Sequence, residues 1–361
     1  MVKWLACGLV LGVAVGSASL AQDVTWQEAN RRSAAFVEEG DLEKAAAFAV
    51  QAVTLYPRQS QAYQPRNHAQ LLLNAVDATQ RATGHKQARQ VLLEGIKSIE
   101  GKAGDDSEVL IALWQEAGRL SLRQDAINTG DGYFKIAYGK AEKLFGENDP
   151  RAILAMIKWT NALRFWHGGE WAQMKLNTAR RRALSLGEDN LVLLHIDLLL
   201  AKLKLERGLE KSAIKAYQDL IERLEQRPDR DLDLLQTSYG QLAHAYGEVG
   251  DEAALDAVVT RLATLFPQED GDILPLIRAQ PRYPFVARAS GGEACVVVEF
   301  TIDEKGRVVD PKILENNGAA AFADAALEAL KKWRYKPFVA DGKPVAKPGV
   351  QTRFNFEITD S

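Results

Sequence analysis

Histidine, cysteine and acidic side chains are the groups from which this sequence could build a metal or catalytic site. The five histidines are scattered along the chain: His68, His85, His167, His195 and His244. None of them has a second histidine at the short spacing that places two metal ligands on one helix face. We therefore predict no metal site, and we expect His167, in a turn, and His195, in an apolar helix, to have structural roles.

Motifs for nucleophilic, nucleotide-binding or paired-acid chemistry are not found in the sequence. It contains no G-x-S-x-G elbow, P-loop or dinucleotide fingerprint, and its glycine pairs at 168–169 and 291–292 lack the strand-to-helix setting that phosphate binding requires. Most acidic residues alternate with Lys and Arg on predicted helix surfaces, a pattern typical of solvated faces. We predict that the protein is not an enzyme and that it binds no cofactor.

Length and composition indicate a globular protein of two or three domains. The chain has 361 residues, of which 47% are hydrophobic, so it can bury sizeable cores. Its formal net charge is -3, without the concentrated Lys/Arg patch expected of a protein that binds nucleic acid. We predict that nucleic acid is not a partner.

The first 21 residues have the pattern of a secretory signal peptide. Lys3 precedes an apolar run over residues 4–16, and residues 19–21, Ser-Leu-Ala, form a small-x-small cleavage pattern. Without cleavage, residues 1–21 could instead serve as a membrane anchor. Cleavage would remove Cys7 and leave Cys295 as a lone thiol, which we expect to lie in the core, so the mature chain would have no internal disulfide.

Residues 22–270 are predicted to form an all-α helical repeat. Between Trp26 and Pro57, small residues fall where two antiparallel helices pack closely, and a proline falls where the second helix should end. The residues that fit this unit are Phe36, Gly40, Ala45, Ala49, Ala52 and Pro57. Residues 236–267 repeat the scheme, and the similar segments 145–149 and 186–190 lie 41 residues apart.

These units resemble tetratricopeptide repeats, with a degenerate pattern in the interior of the region. Repeats of this kind stack into a right-handed solenoid whose concave face commonly binds extended peptides or other proteins. The resemblance implies an unknown protein or peptide partner in this groove. Aromatic residues could line it, but at helical spacing we expect most of them to be core: Trp159, Phe165, Trp166 and Trp171.

The end of the chain is predicted to be a small α+β domain over residues 286–361, after a linker and a QPRYP segment over residues 271–285. Alternation of apolar and polar residues predicts a strand from Glu293 to Asp303. A turn ending at Gly306 leads into a second strand over residues 307–314, so the two strands form an antiparallel hairpin.

Two further elements complete this domain. Apolar residues at helical spacing predict a helix between Ala319 and Lys332 that packs on the hairpin. After it, Trp333 and Tyr335 point one way, and Arg334 and Lys336 the other. A loop at residues 342–344 precedes a last strand from residue 350 to residue 358 that alternates core and water-facing side chains.

Taken in order, these segments resemble the C-terminal domain of the TonB family, the periplasmic part of the energy transducers that engage outer-membrane receptors in Gram-negative bacteria. The resemblance covers about the last quarter of the chain. Its motifs are QPRYP (280–284), FTIDEKGRV (300–308), AALEALKKWRY (325–335), GKPV (342–345) and the alternating last strand.

The resemblance implies a docking site for a receptor peptide, the TonB box. In this family the peptide joins the sheet beside the final strand, and the QPxYP segment lies close by. Carried over by position, the implicated residues are Gln280, Arg282, Tyr283, Gln351, Arg353 and Asn355. The alternative is solvated surface for these side chains and core packing for Tyr283. An open sheet edge would also permit homo-oligomers.

Two elements of such energy transducers are not recognised in the sequence: a histidine-bearing membrane helix and a Pro/Lys/Glu-rich spacer, whose place the repeats occupy. We therefore predict a periplasmic interaction protein that docks TonB-dependent receptors by strand addition in transmembrane transport, with the repeats recruiting a second partner. Two alternatives stay open. One is a divergent energy transducer anchored in the inner membrane and facing the periplasm, and the other is an envelope assembly scaffold unrelated to transport.

Overall fold

The computed structural model describes residues 24–104, 107–267, 273–288 and 292–357. The predicted signal peptide or anchor over residues 1–21 and the predicted end of the last strand at residue 358 lie outside these ranges. The described residues form helices followed by a small α+β domain with an antiparallel sheet, which confirms the predicted two-part fold class. The chain divides into two compact units, one ending at Trp166 and one beginning at His167.

Twelve helices precede the α+β domain in the described part of the chain. Those of the first unit are α1 (Trp26–Glu38), α2 (Leu42–Gln59), α3 (Pro65–Thr83), α4 (His85–Ala103), α5 (Val109–Leu122), α6 (Ile127–Phe145) and α7 (Pro150–His167). Those of the second unit are α8 (Gly169–Ala183), α9 (Leu191–Glu206), α10 (Glu210–Gln226), α11 (Leu232–Val249) and α12 (Glu252–Leu265), with a short 3-10 helix (Leu184–Leu186) after α8. Helix α7 ends at the division between the units.

The helices follow a regular sequence period. Helices α5, α7, α9 and α11 begin at Val109, Pro150, Leu191 and Leu232, so that each begins 41 residues after the one before. The segments 145–149 and 186–190 lie at the turns before α7 and α9, and Asn190 caps α9 by accepting a hydrogen bond from the Val192 amide. The recurrence seen in the sequence is therefore the period of the helical repeat.

Small residues bring α1 and α2 close together, as the sequence predicts. Ala45, Ala49 and Ala52 are buried, and the Ser33 hydroxyl donates to the Ala45 carbonyl oxygen at 2.8 Å across the pair. The predicted end at Pro57 is wrong, because α2 continues to Gln59. A proline in the last turn interrupts few helical hydrogen bonds, so it need not end the helix at its own position.

Two of the four aromatic residues expected in the core are exposed. Trp159 is buried, and its indole nitrogen donates to Asp131 Oδ1 at 2.7 Å, whereas Trp171 is half-buried. Phe165 is 76% exposed and Trp166 is 46% exposed, so the expectation is wrong for these two. Both belong to the last turn of α7, and Trp166 is the last residue of the first unit.

His68 of the first unit is expected to make stability depend on pH. Its ring is fully buried, its Nδ1 lies 3.0 Å from the Tyr63 hydroxyl, and burial lowers its pKa to about 4. The folded state therefore binds this proton less readily than the unfolded state, whose histidine pKa is about 6.5. The stability contributed by neutral His68 is present above that value and is lost as the pH falls towards 4.

Lowering the pH from 7 to 5 should therefore reduce the free energy of unfolding by about 2 kcal/mol through His68 alone. Urea unfolding of the wild type and of His68→Gln at several pH values isolates this component, because other titrating groups are common to both proteins. The difference in free energy of unfolding between the wild type and His68→Gln should shrink as the pH falls. Parallel stability profiles would contradict the assignment.

The α+β domain contains two helices and five strands among the residues described. In chain order they are α13 (Phe285–Arg288), β1 (Ala294–Ile302), β2 (Val308–Asn316), α14 (Ala320–Leu330), β3 (Phe338–Ala340), β4 (Lys343–Val345) and β5 (Lys347–Phe356). Strands β2, β1 and β5 form an antiparallel sheet in that order, and β3 and β4 form a separate hairpin.

Strand β1 lies at the centre of the sheet and has the predicted alternation. Every second residue from Ala294 to Ile302 is buried, and the intervening side chains are half-buried. Cys295 belongs to the second set and lies opposite Asn355 of β5. The expectation of a core thiol is therefore wrong, because a period of two places Cys295 on the face opposite to Val296.

The domain core forms where α14 and the segment after it pack on β1 and β5. Phe322 and Leu330 of α14 are buried together with Phe354, Trp333 and Tyr335. The Trp333 ring lies 5.2 Å from that of Phe354 and 6.2 Å from that of Tyr335. As predicted, Trp333 and Tyr335 tie the end of the helix to the sheet.

Candidate functional site

The sheet has two edge strands among the residues described, β2 and β5, and the outer edge of β5 is the candidate site for binding another chain. Strand β5 pairs with β1 from Ala294 opposite Phe356 to Ile302 opposite Lys347. Among the residues described, no strand pairs with its other side. In an antiparallel ladder, alternate residues direct their main-chain N–H and C=O groups away from the existing partner. An extended peptide can satisfy those groups by adding to the sheet as a further strand.

The side chains of β5 divide between the two faces of the sheet as the sequence predicts. Val350, Phe354 and Phe356 are buried against α14 and its neighbours, whereas Gln351, Arg353 and Asn355 are exposed on the opposite face. The side-chain nitrogen of Gln351, Nε2, donates to Glu299 Oε2 of β1 at 3.2 Å. The three exposed residues therefore stand in a row beside the open edge.

The QPRYP segment is held at the end of β5 through Tyr283. The Tyr283 ring lies 5.5 Å from Phe322 and 6.2 Å from Phe356, both edge-on, and its hydroxyl donates to the Gly292 carbonyl oxygen. Tyr283 is half-buried, while Gln280 and Arg282 are exposed. Tyr283 therefore positions the segment, and its two polar neighbours face solvent.

The six predicted site residues do not form one compact cluster. Tyr283 contacts Phe356, and Gln351 lies five residues earlier on β5. At about 3.3 Å per residue, those five residues span roughly 17 Å. A ligand that reaches both Gln280 and Gln351 must therefore be extended, as a peptide strand is. The exposed cations Arg282 and Arg353 add positive charge along this line.

A second set of contacts, which sequence reasoning missed, fastens this domain to helix α12. The buried Arg334 guanidinium donates to Glu252, and its backbone pairs with Ile277, which was predicted to lie in a linker. Arg307 donates to both carboxylate oxygens of Asp256, at 3.2 and 2.5 Å. The β3–β4 hairpin also packs on α12. We call this set the α12 seam.

The α12 seam has a direct consequence for the candidate site. Its contacts involve the turn before β2, the segment after α14 and the β3–β4 hairpin, and none of them involves the open side of β5. The last helices of the repeat therefore hold the domain while the β5 edge stays accessible. No local sequence pattern could reveal the contacts of the α12 seam, because Arg334 and Glu252, for example, are 82 residues apart.

One helix on a three-stranded antiparallel sheet with an open edge strand defines a small α+β domain that can accept a peptide strand. Residues 279–358 of this domain match the family model described as the Gram-negative bacterial TonB protein C-terminal. Protein TonB of Vibrio cholerae is 37% identical over 89 residues, which make up 24% of this chain and 36% of that protein. The end of the chain is thus a TonB C-terminal domain, and the chain covers about a third of that relative's length.

Two solved structures are similar to portions of this chain. The solution NMR structure of the Pseudomonas aeruginosa TonB C-terminal domain is 38% identical with a TM-score of 0.23, and the match covers 26% of this chain and 95% of that one. The crystal structure of BtubC from P. vanneervenii is 13% identical with a TM-score of 0.49, and the match covers 70% of this chain and 98% of that one.

Proposed function

We propose that this protein has a TonB-like role in receptor-dependent transport, in which its C-terminal domain captures an extended segment of a TonB-dependent outer-membrane receptor. The segment adds to the sheet as a strand beside β5, next to Gln351, Arg353 and Asn355, and its end reaches Gln280 and Arg282. The open edge of β5 is the observation that carries this proposal. The match of residues 279–358 to the TonB C-terminal family supports it.

The proposal also includes a second partner, bound by the helical repeat, and a location in the periplasm. The α12 seam joins the docking domain to the repeat, so a protein bound by the repeat would be held close to the captured receptor segment. Within the ranges that the structure describes, no helix combines the length and apolar character needed to cross a membrane. The intact mass of the exported protein separates a free periplasmic protein, with Gln22 at its N-terminus, from the anchored energy transducer.

Disulfide trapping locates the captured peptide on one edge of the sheet. In a Cys7→Ser, Cys295→Ser background, Asn355→Cys places a thiol on exposed β5, and Lys312→Cys places a matched thiol on exposed β2. A receptor peptide that contains the TonB box and one cysteine should form a disulfide at least about tenfold faster at position 355 than at position 312. The expected rate difference reflects the local concentration that binding creates.

Control peptides separate the transport role from that of an envelope assembly scaffold. A scrambled peptide with the same cysteine should react equally slowly at both positions. If every receptor peptide behaves like its scrambled control, the transport role is contradicted and the assembly scaffold gains support. Equal trapping of an authentic peptide at both positions would contradict the placement beside β5.

A further inference from the structure

A cleft of about 400 Å³ lies beside the α12 seam, away from the β5 edge. Helices α11 and α12 form one wall, and the segments before α13 and after α14 form the other. Its apolar lining consists of Leu255, Leu276, Ile277 and Ala279. Its charged and titratable lining consists of His244, Glu248, Glu252, Arg278, Lys331, Lys332 and Arg334. We call this space the seam cleft.

Arg334 gives the seam cleft a buried donor. The residue is only 7% exposed, its Nη2 donates to Glu252, and its Nη1 donates to the Trp333 carbonyl oxygen at 3.1 Å. Its Nε is buried and has no hydrogen-bond partner among the residues described. A buried donor left unsatisfied is energetically unfavourable, so an acceptor that entered the cleft and reached it would be stabilised.

The remaining charges of the seam cleft favour an anion. Four cationic side chains line it against two carboxylates, and Glu252 is already engaged by Arg334. The Arg278 guanidinium lies 5.1 Å from the centre of the Trp333 ring. Lys331 and Lys332 are exposed and make no ion pair in the described ranges. The surplus positive charge therefore lies at the mouth, with a buried guanidinium in the wall.

We propose that the seam cleft binds an acidic peptide segment of a partner protein, with a carboxylate directed to Arg334 and further acidic residues beside Lys331 and Lys332. The apolar lining supplies contact for the methylene groups of glutamate. Such a ligand would touch both α12 and the sheet domain, so its binding would stabilise the seam by mass action. This site is separate from the β5 edge and does not rest on the proposed function.

A fluorescein-labelled hexaglutamate peptide tests the proposal by anisotropy titration of the full chain at low salt. Lys331→Gln with Lys332→Gln should weaken binding at least about tenfold, since both cations flank the bound segment. Lys211→Gln with Lys215→Gln removes the same charge from exposed positions of α10 and should weaken it less than about twofold. Raising the salt concentration should weaken binding to the wild type.

The outcomes are distinct from those of the receptor-peptide experiment, because the probe has no TonB box and the variants leave β5 unchanged. Binding that is lost with the cleft variant and kept with the α10 variant supports the site. Equal weakening by the two double variants would show attraction by overall charge alone and would overturn the proposal. Absence of binding to the wild type would overturn it as well.

Discussion

Replacement of Trp333 by alanine is expected to lower the free energy of unfolding of the C-terminal domain by about 3–5 kcal/mol. The side chain is 2% exposed, and its ring packs 5.2 Å from Phe354 of β5. Its indole nitrogen also donates to the Ala279 carbonyl oxygen at 2.8 Å, which fixes the start of the QPRYP segment. The substitution leaves a cavity in a small core and an unpaired carbonyl group.

Hydrogen exchange of the β1 amides measures this loss within the domain, because β1 is its central strand. In the variant these amides should exchange at least about a hundredfold faster than in the wild type. Trp166→Ala is a suitable control, since Trp166 is 46% exposed and lies in the first unit. Unchanged exchange in Trp333→Ala would contradict the described core.

Replacement of Gly306 by alanine is the second substitution with a large expected effect. Gly306 has a φ of +76°, and its carbonyl oxygen accepts a hydrogen bond of 2.8 Å from the Tyr335 amide. A Cβ here would lie 3.0 Å from the Tyr335 carbonyl carbon and nearer still to its oxygen. The two segments must separate, so we expect a loss of about 3 kcal/mol or more from strain and disrupted packing together.

Gly342 is a matched control for this substitution. It has a φ of +72°, and a Cβ there would meet no atom within 4 Å. Gly342→Ala therefore carries only the cost of the left-handed conformation, about 1–2 kcal/mol. Urea unfolding of both variants should separate the two costs. Equal losses would show that the close approach between Gly306 and Tyr335 contributes nothing.

Regular periods explain why much of the C-terminal domain could be predicted. Strand β1 has one buried residue in two over nine positions, which a sequence pattern reveals directly. Strand β5 was predicted from residue 350, but it begins at Lys347. Its first three residues are all exposed, so they carry no alternation that could mark them as a strand. From residue 350 onward β5 has the same alternation as β1, and the exposure of Gln351, Arg353 and Asn355 follows from it.

The β3–β4 hairpin was predicted only as a loop. Its strands have three residues each, which is too short for alternation to be recognised. A usable signal was present, because Asp341 and Gly342 both have positive φ values and Asp-Gly is typical of a two-residue hairpin turn. The contacts of this hairpin with α12 depend on long-range packing, which no local pattern records.

Arg334 shows the limit of alternation as evidence. The sequence correctly places it on the side opposite to Trp333 and Tyr335, and that side would ordinarily be solvent. In the structure that side is covered by α12, so Arg334 is buried against Glu252. The partner was unpredictable, because it belongs to another domain. The position of the QPRYP segment beside Phe356 could likewise be expected only from the family resemblance.

A scan of backbone N-methyl groups through the receptor peptide tests strand addition beside β5 most directly. N-methylation removes one amide donor and adds bulk at that edge, while the protein and its fold remain unchanged. Strand pairing predicts that affinity falls at least about tenfold at every second peptide position and changes little between them. Affinity that is insensitive at every position, or lost without a period of two, would contradict capture by the β5 edge.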